Sequence, residues 1–258
     1  MSASRRQHAT FRYYGQLNDF LPPSQRHRPL RHEFDLPAAV KDIFESMGVP
    51  HPEVELVLLN GAPVNFRQLV HDGDRISVYP AFGALDLAPL PQLRPPLRDH
   101  RFILDAHLGR LATYMRLLGL DAAYQTNSTD EELARASHQE KRILLTRDCG
   151  LLKRSEVIYG YFVRATEAKQ QTLEVLTRFD LFGAVTPFRR CLRCNALLKP
   201  VAKKSIAERL QPKTRRHYDE FHICPVCDRI YWAGSHYRHM SDFVRQIQQQ
   251  QLATARES

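Results

Sequence analysis

Two pairs of cysteines, each with the spacing Cys-x-x-Cys, constrain the fold of this chain more than any other feature. They are Cys191 with Cys194 and Cys224 with Cys227, and 29 residues lie between the pairs. Two such pairs can present four thiolates in the tetrahedral arrangement that structural Zn²⁺ prefers. A redox pair is the alternative, but neither pair has a thioredoxin-like context. We therefore predict a zinc ribbon whose metal site is closed and structural, with the long gap forming an excursion.

The remaining cysteine, Cys149, stands alone. An odd count with this spacing fits a reducing compartment better than a disulfide framework. The sequence also lacks an apolar run of roughly 18 residues, the length needed to span a bilayer. Its first twenty residues lack the apolar stretch of a signal peptide. We therefore expect a cytoplasmic protein that is not membrane-bound.

The net charge of +9 is unevenly distributed along the chain. Residues 1–85 carry nine basic and nine acidic side chains, whereas residues 86–258 carry 28 basic and 19 acidic ones. A basic half indicates a polyanion partner such as nucleic acid, although basic proteins without such a partner also exist. The gap between the cysteine pairs is basic too, and it supplies four candidate phosphate contacts: Lys203, Lys204, Arg215 and Arg216.

The N-terminal part has the pattern of a small mixed domain. A strand candidate is followed by helical periodicity over 36–49, and then by Asn60-Gly61, a strong hairpin-turn signal. This order predicts a β-grasp domain over 1–85. The segment resembles the ubiquitin-like sulfur carriers, but those end in a free Gly-Gly tail, whereas this chain continues into another domain. We therefore expect it to bind a protein partner or act as a scaffold, rather than transfer sulfur.

The rest of the chain reads as a linker followed by an α/β domain. Four prolines predict a stiff linker over 86–100. Beyond it, strand patterns alternate with helix patterns, which predicts a parallel sheet with helices on its faces. We assign this α/β domain to 101–187, the zinc ribbon with its basic insert to 188–240, and a C-terminal helix or tail to 241–258.

One helix of the α/β domain has two candidate starts. Overlapping capping boxes pair Ser128 with Glu131 and Thr129 with Glu132. In both cases the helix begins close to Asp130, and the sequence alone leaves the choice open.

Acidic residues occur at three places that a parallel sheet brings to one edge. Asp105 and Asp148 each follow an apolar strand pattern, and ligands of open parallel sheets bind beyond those strand ends. Asp130 and Glu131 open a helix between the two strands. Carboxylates at one edge repel each other unless a divalent cation is present, and Mg²⁺ or Mn²⁺ prefers oxygen ligands. The alternative is structural, since acids are common at helix N-termini and in turns.

Four segments resemble, in the same order, the C-terminal RNase family of the Mut-seven exonucleases: RFILDAHLGRLATYMRLLGLDAAY, TDEELARASHQEKRILLTRD, PFRRCLRCNALLKPV and CPVCDRIYWAGSH. That family belongs to the PIN-like nucleases. The similarity extends from residue 101 to about residue 240, and a ubiquitin-like N-terminal domain is a known fusion to this family. The resemblance implies a PIN-like parallel sheet flanked by helices, and metal-dependent hydrolysis of RNA phosphodiester bonds.

Site residues follow from the resemblance residue by residue. It implies that Asp105, Asp130 and Asp148 are catalytic and hold Mg²⁺ or Mn²⁺, with Glu131 as an adjacent or alternate ligand. Three arginines are candidate phosphate contacts: Arg110, Arg116 and Arg147. Arg110 and Arg116 also fit ordinary solvated helix positions. The expected protein is a metal-dependent ribonuclease whose RNA substrate can be tRNA, and whose cleavage can be internal or terminal.

A non-catalytic RNA-binding adaptor is the alternative function. In that case the basic ribbon binds RNA and the N-terminal domain recruits a protein partner. Tyr231 and Trp232 fit both functions, because aromatic rings stack on unpaired bases. The alternative for both residues is packing in the core of the ribbon, which we favour for Trp232.

Overall fold

The computed structural model of the chain describes residues 6–81, 93–97, 99–234, 242–243, 245–247 and 249. Its strands are β1 (Gln7–Tyr13), β2 (Leu30–Phe34), β3 (Ala38–Ala39), β4 (Val54–Leu59), β5 (Ala62–Pro63), β6 (Leu69–Val70), β7 (Arg75–Pro80), β8 (Arg101–Leu104), β9 (Asp121–Tyr124), β10 (Ile143–Thr146), β11 (Gly160–Phe162), β12 (Lys199–Val201), β13 (Phe221–Ile223) and β14 (Ile230–Tyr231). Its α-helices are α1 (Val40–Ser46), α2 (Gly109–Leu117), α3 (Asp130–Glu140), α4 (Cys149–Leu152), α5 (Ala168–Arg178), α6 (Lys203–Ile206) and α7 (Pro212–His217).

The chain forms two compact units that interleave in sequence. The first comprises Met1–Asp99 and Thr129–Phe162, and the second comprises His100–Ser128 and Val163–Ser258. The predicted linker over 86–100 lies mostly outside the described residues, as does the predicted C-terminal segment. The domain boundaries that we assigned from the sequence therefore stay a prediction.

The first unit begins with a five-stranded mixed sheet of order β2-β1-β7-β4-β5. The strands β1 and β7 are parallel at its centre, and every other neighbouring pair is antiparallel. Helix α1 contributes Val40, Ile43 and Phe44 to the buried core of this sheet. The predicted β-grasp arrangement is confirmed.

The helix of this domain is shorter than the periodicity over 36–49 predicts. It begins at Val40 because the preceding Ala38–Ala39 pairs with Leu69–Val70 as an extra two-stranded sheet. The predicted hairpin turn is confirmed, since Asn60 and Gly61 both have positive φ, at 52° and 89°. A type I′ turn requires positive φ at both central positions, which is why Asn-Gly occurs there.

Parallel pairing characterises the remaining strands of the first unit. Strand β10 is buried along its whole length and pairs in parallel with β11. Continuous burial is typical of strands in parallel sheets, because helices cover both faces. Helix α3 starts at Asp130 with a capping box formed by Thr129 and Glu132, the second of the two boxes in the sequence.

Buried polar contacts join the β-grasp domain to the β11 region within this unit. The fully buried carboxylate of Glu53 accepts a 2.6 Å hydrogen bond from the backbone N–H of Phe162. The imidazole of His51 lies 2.6 Å from Glu45 Oε1 and 2.7 Å from the carbonyl oxygen of Val157. The contacts with Val157 and Phe162 connect residues that lie more than a hundred positions apart in the sequence.

The second unit contains the other parallel pair, β8 with β9, connected through α2. Helix α2 packs against β9 and α5, and it ends before Gly119, which has φ of 86°. The parallel pairs β8–β9 and β10–β11, with helices between them in sequence, confirm the predicted parallel sheet flanked by helices.

A separate three-stranded antiparallel sheet of order β12-β13-β14 completes the second unit. Its small core consists of Ile206, Leu210 and Phe221, with Val201, Tyr218 and Ile230 packed against it. The short helices α6 and α7 lie in the long gap between the cysteine pairs, so this excursion is folded. No helix in the described part of the chain combines the length and the apolar character that a bilayer span requires.

Candidate metal centre and active site

Four cysteine sulfurs converge in the ribbon. The Sγ atoms of Cys191, Cys194, Cys224 and Cys227 all lie within 4.8 Å of one another. The Sγ atoms of Cys191 and Cys227 are 3.5 Å apart, and those of Cys194 and Cys224 are 3.3 Å apart. A tetrahedron with Zn–S bonds of about 2.3 Å has sulfurs separated by roughly 3.8 Å. The four cysteines can therefore hold a structural metal ion such as zinc.

The two cysteine pairs adopt the same local structure. In each pair the second cysteine points its backbone N–H at the first sulfur, at 3.5 Å for Cys194 and 3.4 Å for Cys227. The residue after each pair, Asn195 or Asp228, has positive φ and donates its N–H to the carbonyl of the first cysteine. Amide donors that face sulfur favour the thiolate form, which is the form that binds metal.

The thiols of this cluster differ in their pKa values. Burial opposes ionisation of Cys191, but hydrogen bonds from Tyr231 and from neighbouring backbone amides outweigh it and lower the pKa of this thiol to about 6. Burial instead raises the pKa of Cys194 to about 12 and also raises the pKa of Cys227. Thiolates at these separations repel one another, and a bound cation relieves that repulsion.

Arg116 anchors the first cysteine pair to the α/β part of the second unit. This side chain is only 3 % exposed, and burial lowers its pKa. Its guanidinium donates to the carbonyl oxygens of Ala122 at 2.8 Å, Leu192 at 3.1 Å and Arg193 at 2.8 Å. The sequence suggested a phosphate contact or a solvated position for Arg116. The structure instead gives it internal partners, so we do not include it among the phosphate contacts below.

Sequence reasoning missed a second connection in the same place. Asn195 donates to Asp121 Oδ1 at 2.8 Å and accepts from the N–H of Ala122 at 3.1 Å. Arg190 contacts Asp121 Oδ2 at 3.3 Å and donates to the carbonyls of Gly119 and Asn195. The position of Asn195 directly after Cys-x-x-Cys was a usable signal, because asparagine tolerates positive φ.

Asp148 follows β10, as predicted, and begins helix α4. Its Oδ1 accepts hydrogen bonds from the N–H groups of Gly150 at 2.6 Å and Leu151 at 3.3 Å. Its own N–H donates to Thr146 Oγ1 at 2.9 Å. These contacts fix the orientation of the carboxylate. Among the described residues, no hydrogen bond to Asp148 Oδ2 is formed, so this oxygen keeps its capacity to bind a ligand.

Asp105 follows β8 directly and is 7 % exposed. It precedes a 3₁₀ turn at Ala106–Leu108, yet its side chain makes no capping hydrogen bond there. The common structural explanation for an aspartate at a helix start therefore does not apply to Asp105. Its carboxylate lies mostly buried at the end of a parallel strand.

The acids of helix α3 differ from each other. Asp130 is its first residue and is exposed, and no hydrogen bond or ion pair to its carboxylate is formed within the described part of the chain. Glu131 is also exposed, and its Oε1 lies 2.7 Å from the guanidinium of Arg135 one turn later. Glu131 therefore has a surface partner, whereas Asp130 is available to a ligand.

The predicted cationic contacts are mostly exposed. Arg110 lies in the first turn of α2, and Arg147 lies beside Asp148. In the ribbon excursion, Lys203 pairs with Asp219 at 2.8 Å. Three further predicted contacts are exposed and have no ion pair within the described residues: Lys204, Arg215 and Arg216.

Two family comparisons agree with this architecture. Residues 100–244 match the family described as the Mut7-C RNAse domain, and residues 6–86 match the family described as Mut7-C ubiquitin. The first match covers Asp105, Asp130, Asp148 and all four clustered cysteines. No curated protein and no solved structure matches the chain. The family resemblance that we read from the sequence is confirmed.

Proposed function

Because the chain belongs to the Mut7-C RNAse domain family, with a Mut7-C ubiquitin domain in front, we propose that it is a metal-dependent ribonuclease. It hydrolyses phosphodiester bonds of RNA, with tRNA or another structured RNA as substrate. The observation that carries this proposal is the match over 100–244, together with the positions of Asp105 directly after one parallel strand and of Asp148 two residues after another. Ligands of open parallel sheets bind beyond such strand ends.

The acidic donor set fits a hard divalent cation. Asp105, Asp130 and Asp148 offer carboxylate oxygens, which are the ligands that Mg²⁺ and Mn²⁺ prefer. We propose that these three residues hold the ion and that Glu131, which is engaged by Arg135, is adjacent to it. When bound, the ion lowers the pKa of a water molecule and stabilises negative charge on the phosphoryl group. Two backbone amides hold one oxygen of the Asp148 carboxylate in place.

Cationic side chains position the RNA in this proposal. Arg147, beside Asp148, and Arg110 contact the phosphate at the cleavage site. Helix α7 supplies Arg215 and Arg216, which are exposed and bind the RNA backbone farther away. Such contacts act through charge and release counterions, so they give affinity without sequence selection. The four cysteines hold zinc, which keeps the ribbon folded and plays no part in the chemistry.

The ubiquitin-like domain has a different task in this proposal. We propose that it binds a protein partner and is held to the nuclease part of its own unit by His51 and Glu53. A non-catalytic RNA-binding adaptor is the second candidate function. It is favoured by exposed cations on α7, which need no active site to bind RNA.

The experiment that separates the two functions is an RNA cleavage assay with zinc-loaded protein and added Mn²⁺ or Mg²⁺. Asp148→Asn is the informative variant, because asparagine still caps α4 but carries no charge. We expect wild type to cleave end-labelled tRNA, and Asp148→Asn to bind it equally well but cleave it at least 100-fold more slowly, a loss of about 2.7 kcal/mol.

Asp35→Asn is the matched control, because Asp35 is an exposed acid of the β-grasp domain. It should cleave like wild type. Equal cleavage by wild type and Asp148→Asn would contradict the assignment of the active site. RNA binding without metal-dependent cleavage by wild type would favour the adaptor.

A further inference from the structure

A cleft of about 390 Å³ opens on the ribbon, and none of the residues that line it is assigned to hydrolysis. This volume lies within the range of small-molecule sites, and it is sufficient for one nucleobase with its sugar. The cleft is lined by Pro187, Phe188, Arg189, Arg190, Leu192, Leu198, Pro200, Glu220, His222, Tyr231, Trp232 and Ala233. Its lining combines aromatic rings with charged side chains of both signs.

The floor of the cleft is one face of the ribbon sheet. Pro200 pairs with His222, and His222 pairs with Tyr231, so these three residues lie side by side across β12, β13 and β14. Phe221, the strand neighbour of His222, belongs to the small core of the ribbon. The hydroxyl of Tyr231 lies 3.1 Å from Cys191 Sγ, which ties the floor to the metal centre.

Trp232 forms an exposed aromatic wall. Trp232 is 38 % exposed, and the centroid of its ring lies 6.4 Å from the centroid of the Phe221 ring. Gly234 packs against the edge of the indole, where an added Cβ would lie 2.7 Å from Trp232 Nε1. The indole therefore does not fill the ribbon core, and its surroundings limit its rotation.

Charged groups at the rim differ in their availability. Arg190 is engaged with Asp121 and two carbonyls, whereas the neighbouring Arg189 is exposed and forms no side-chain hydrogen bond within the described residues. Glu220 and His222 are exposed as well. One exposed cation and one exposed carboxylate in the lining of an aromatic cleft match the phosphate and the base edge of a nucleotide.

We propose that this cleft binds one unpaired nucleobase of a single-stranded RNA segment. The base stacks on Trp232, its 5′ or 3′ phosphate contacts Arg189, and an amino group on its edge donates to Glu220. Base–aromatic stacking and recognition of unpaired base edges are general means of binding single strands. The inference rests on the proposed function in one respect, namely that the polyanion bound by the protein is RNA.

Trp232 is the only tryptophan in the chain, so its fluorescence reports on this cleft alone. We propose to titrate the zinc-loaded full chain with oligo(C) and oligo(U) of ten nucleotides, without Mg²⁺ or Mn²⁺. Stacking of a base is expected to quench the emission. In parallel, fluorescence anisotropy of labelled oligo(C) measures the affinity of variants that lack the indole.

Trp232→Ala is expected to weaken oligo(C) binding about tenfold, the size of one lost base–aromatic stack. Trp232→Phe keeps a ring and is expected to lose at most threefold. Val226→Ala is the matched control, because Val226 is 72 % exposed on the same ribbon and does not line the cleft. The zinc content of each variant shows whether its four cysteines still bind the metal, and therefore whether the ribbon is folded.

A comparison of cytosine with uracil tests the proposed contact of Glu220 with the base edge. Cytosine carries an amino group at the position where uracil carries a carbonyl oxygen. Wild type is expected to prefer oligo(C), because a carboxylate accepts from the cytosine amino group and repels the uracil carbonyl. Glu220→Gln should remove the preference, since an amide can donate as well as accept. A preference that is unchanged in Glu220→Gln would overturn this orientation of the base.

The outcomes separate the cleft from the proposed ribonuclease. The proposed base-binding cleft would be overturned if oligo(C) did not quench the emission of wild type and bound wild type and Trp232→Ala with equal affinity. That result would leave the proposed ribonuclease activity unaffected. Quenching in wild type and weaker oligo(C) binding by Trp232→Ala, together with no cleavage under added Mn²⁺, would retain the cleft and reject the nuclease. Absence of any RNA binding would reject both.

Discussion

Replacing Arg116 by methionine tests whether this residue holds the ribbon or contacts RNA. Methionine keeps most of the volume of the side chain but removes the charge and its donors. In the structure the guanidinium donates to three backbone carbonyls, at 2.8, 3.1 and 2.8 Å, while only 3 % exposed. Hydrogen bonds that involve a charged group contribute about 1.5–3 kcal/mol each, and a buried carbonyl left without a donor adds a penalty.

At the low end of that range, the loss of three such hydrogen bonds predicts that Arg116→Met lowers the free energy of unfolding by about 4.5 kcal/mol. For a domain of this size, each kcal/mol corresponds to roughly 2–4 °C in Tm, so we expect a fall of about 9–18 °C. Differential scanning calorimetry measures the change, and the zinc content after gel filtration shows whether the cysteine pair stays in place. Arg110→Met is the matched control, because Arg110 lies on the same helix but is exposed.

The two interpretations of Arg116 predict opposite results. A structural anchor makes Arg116→Met unstable, whereas Arg110→Met should melt within about 0.5 kcal/mol of wild type. A phosphate contact would leave the Tm unchanged and weaken RNA binding in a salt-dependent manner. A Tm of Arg116→Met within 2 °C of wild type would refute the reasoning from burial and hydrogen bonds.

Three further predictions concern local geometry and charge. Gly119→Ala should lower the free energy of unfolding, measured by urea denaturation, by about 2–4 kcal/mol. The reason is that φ of Gly119 is 86° and the new Cβ would overlap a backbone carbonyl. Gly61→Ala, with open space around the new Cβ, should lower it by about 1 kcal/mol. Thr129→Ala should cost about 1 kcal/mol in the same assay and Ser128→Ala close to none, since only the former caps helix α3. Arg216→Ala should reduce the slope of log K against log salt for RNA binding by about 0.7–0.9, and an unchanged slope would remove it from the phosphate contacts.

Local sequence signals predicted the features that depend on neighbouring residues. The Asn60-Gly61 turn follows from the positive φ that both residues tolerate, and the positions of β8 and β10 follow from their apolar runs. The four cysteines follow from ligand spacing alone. The sequence offered two capping boxes for α3, and only the backbone geometry selects Thr129 over Ser128.

Features that depend on distant partners were not visible in the sequence. Arg116 resembles a solvated helix residue until its acceptors, 76 and 77 positions later, are brought against it. The start of α1 at Val40 depends on pairing of the preceding residues with Leu69–Val70. Glu53 similarly accepts a hydrogen bond from the N–H of Phe162, which lies 109 residues away. Periodicity and propensity describe a few turns of chain, so they carry no information about these contacts.

Binding of Mn²⁺ tests the proposal that Asp105, Asp130 and Asp148 share one catalytic cation site. Free and bound Mn²⁺ are distinguished by electron paramagnetic resonance during titration of the zinc-loaded chain. We expect Mn²⁺ to bind wild type saturably. We expect its affinity to be at least tenfold weaker, a loss of about 1.4 kcal/mol, for each of Asp105→Asn, Asp130→Asn and Asp148→Asn. Binding to all three variants with the affinity of wild type would contradict it.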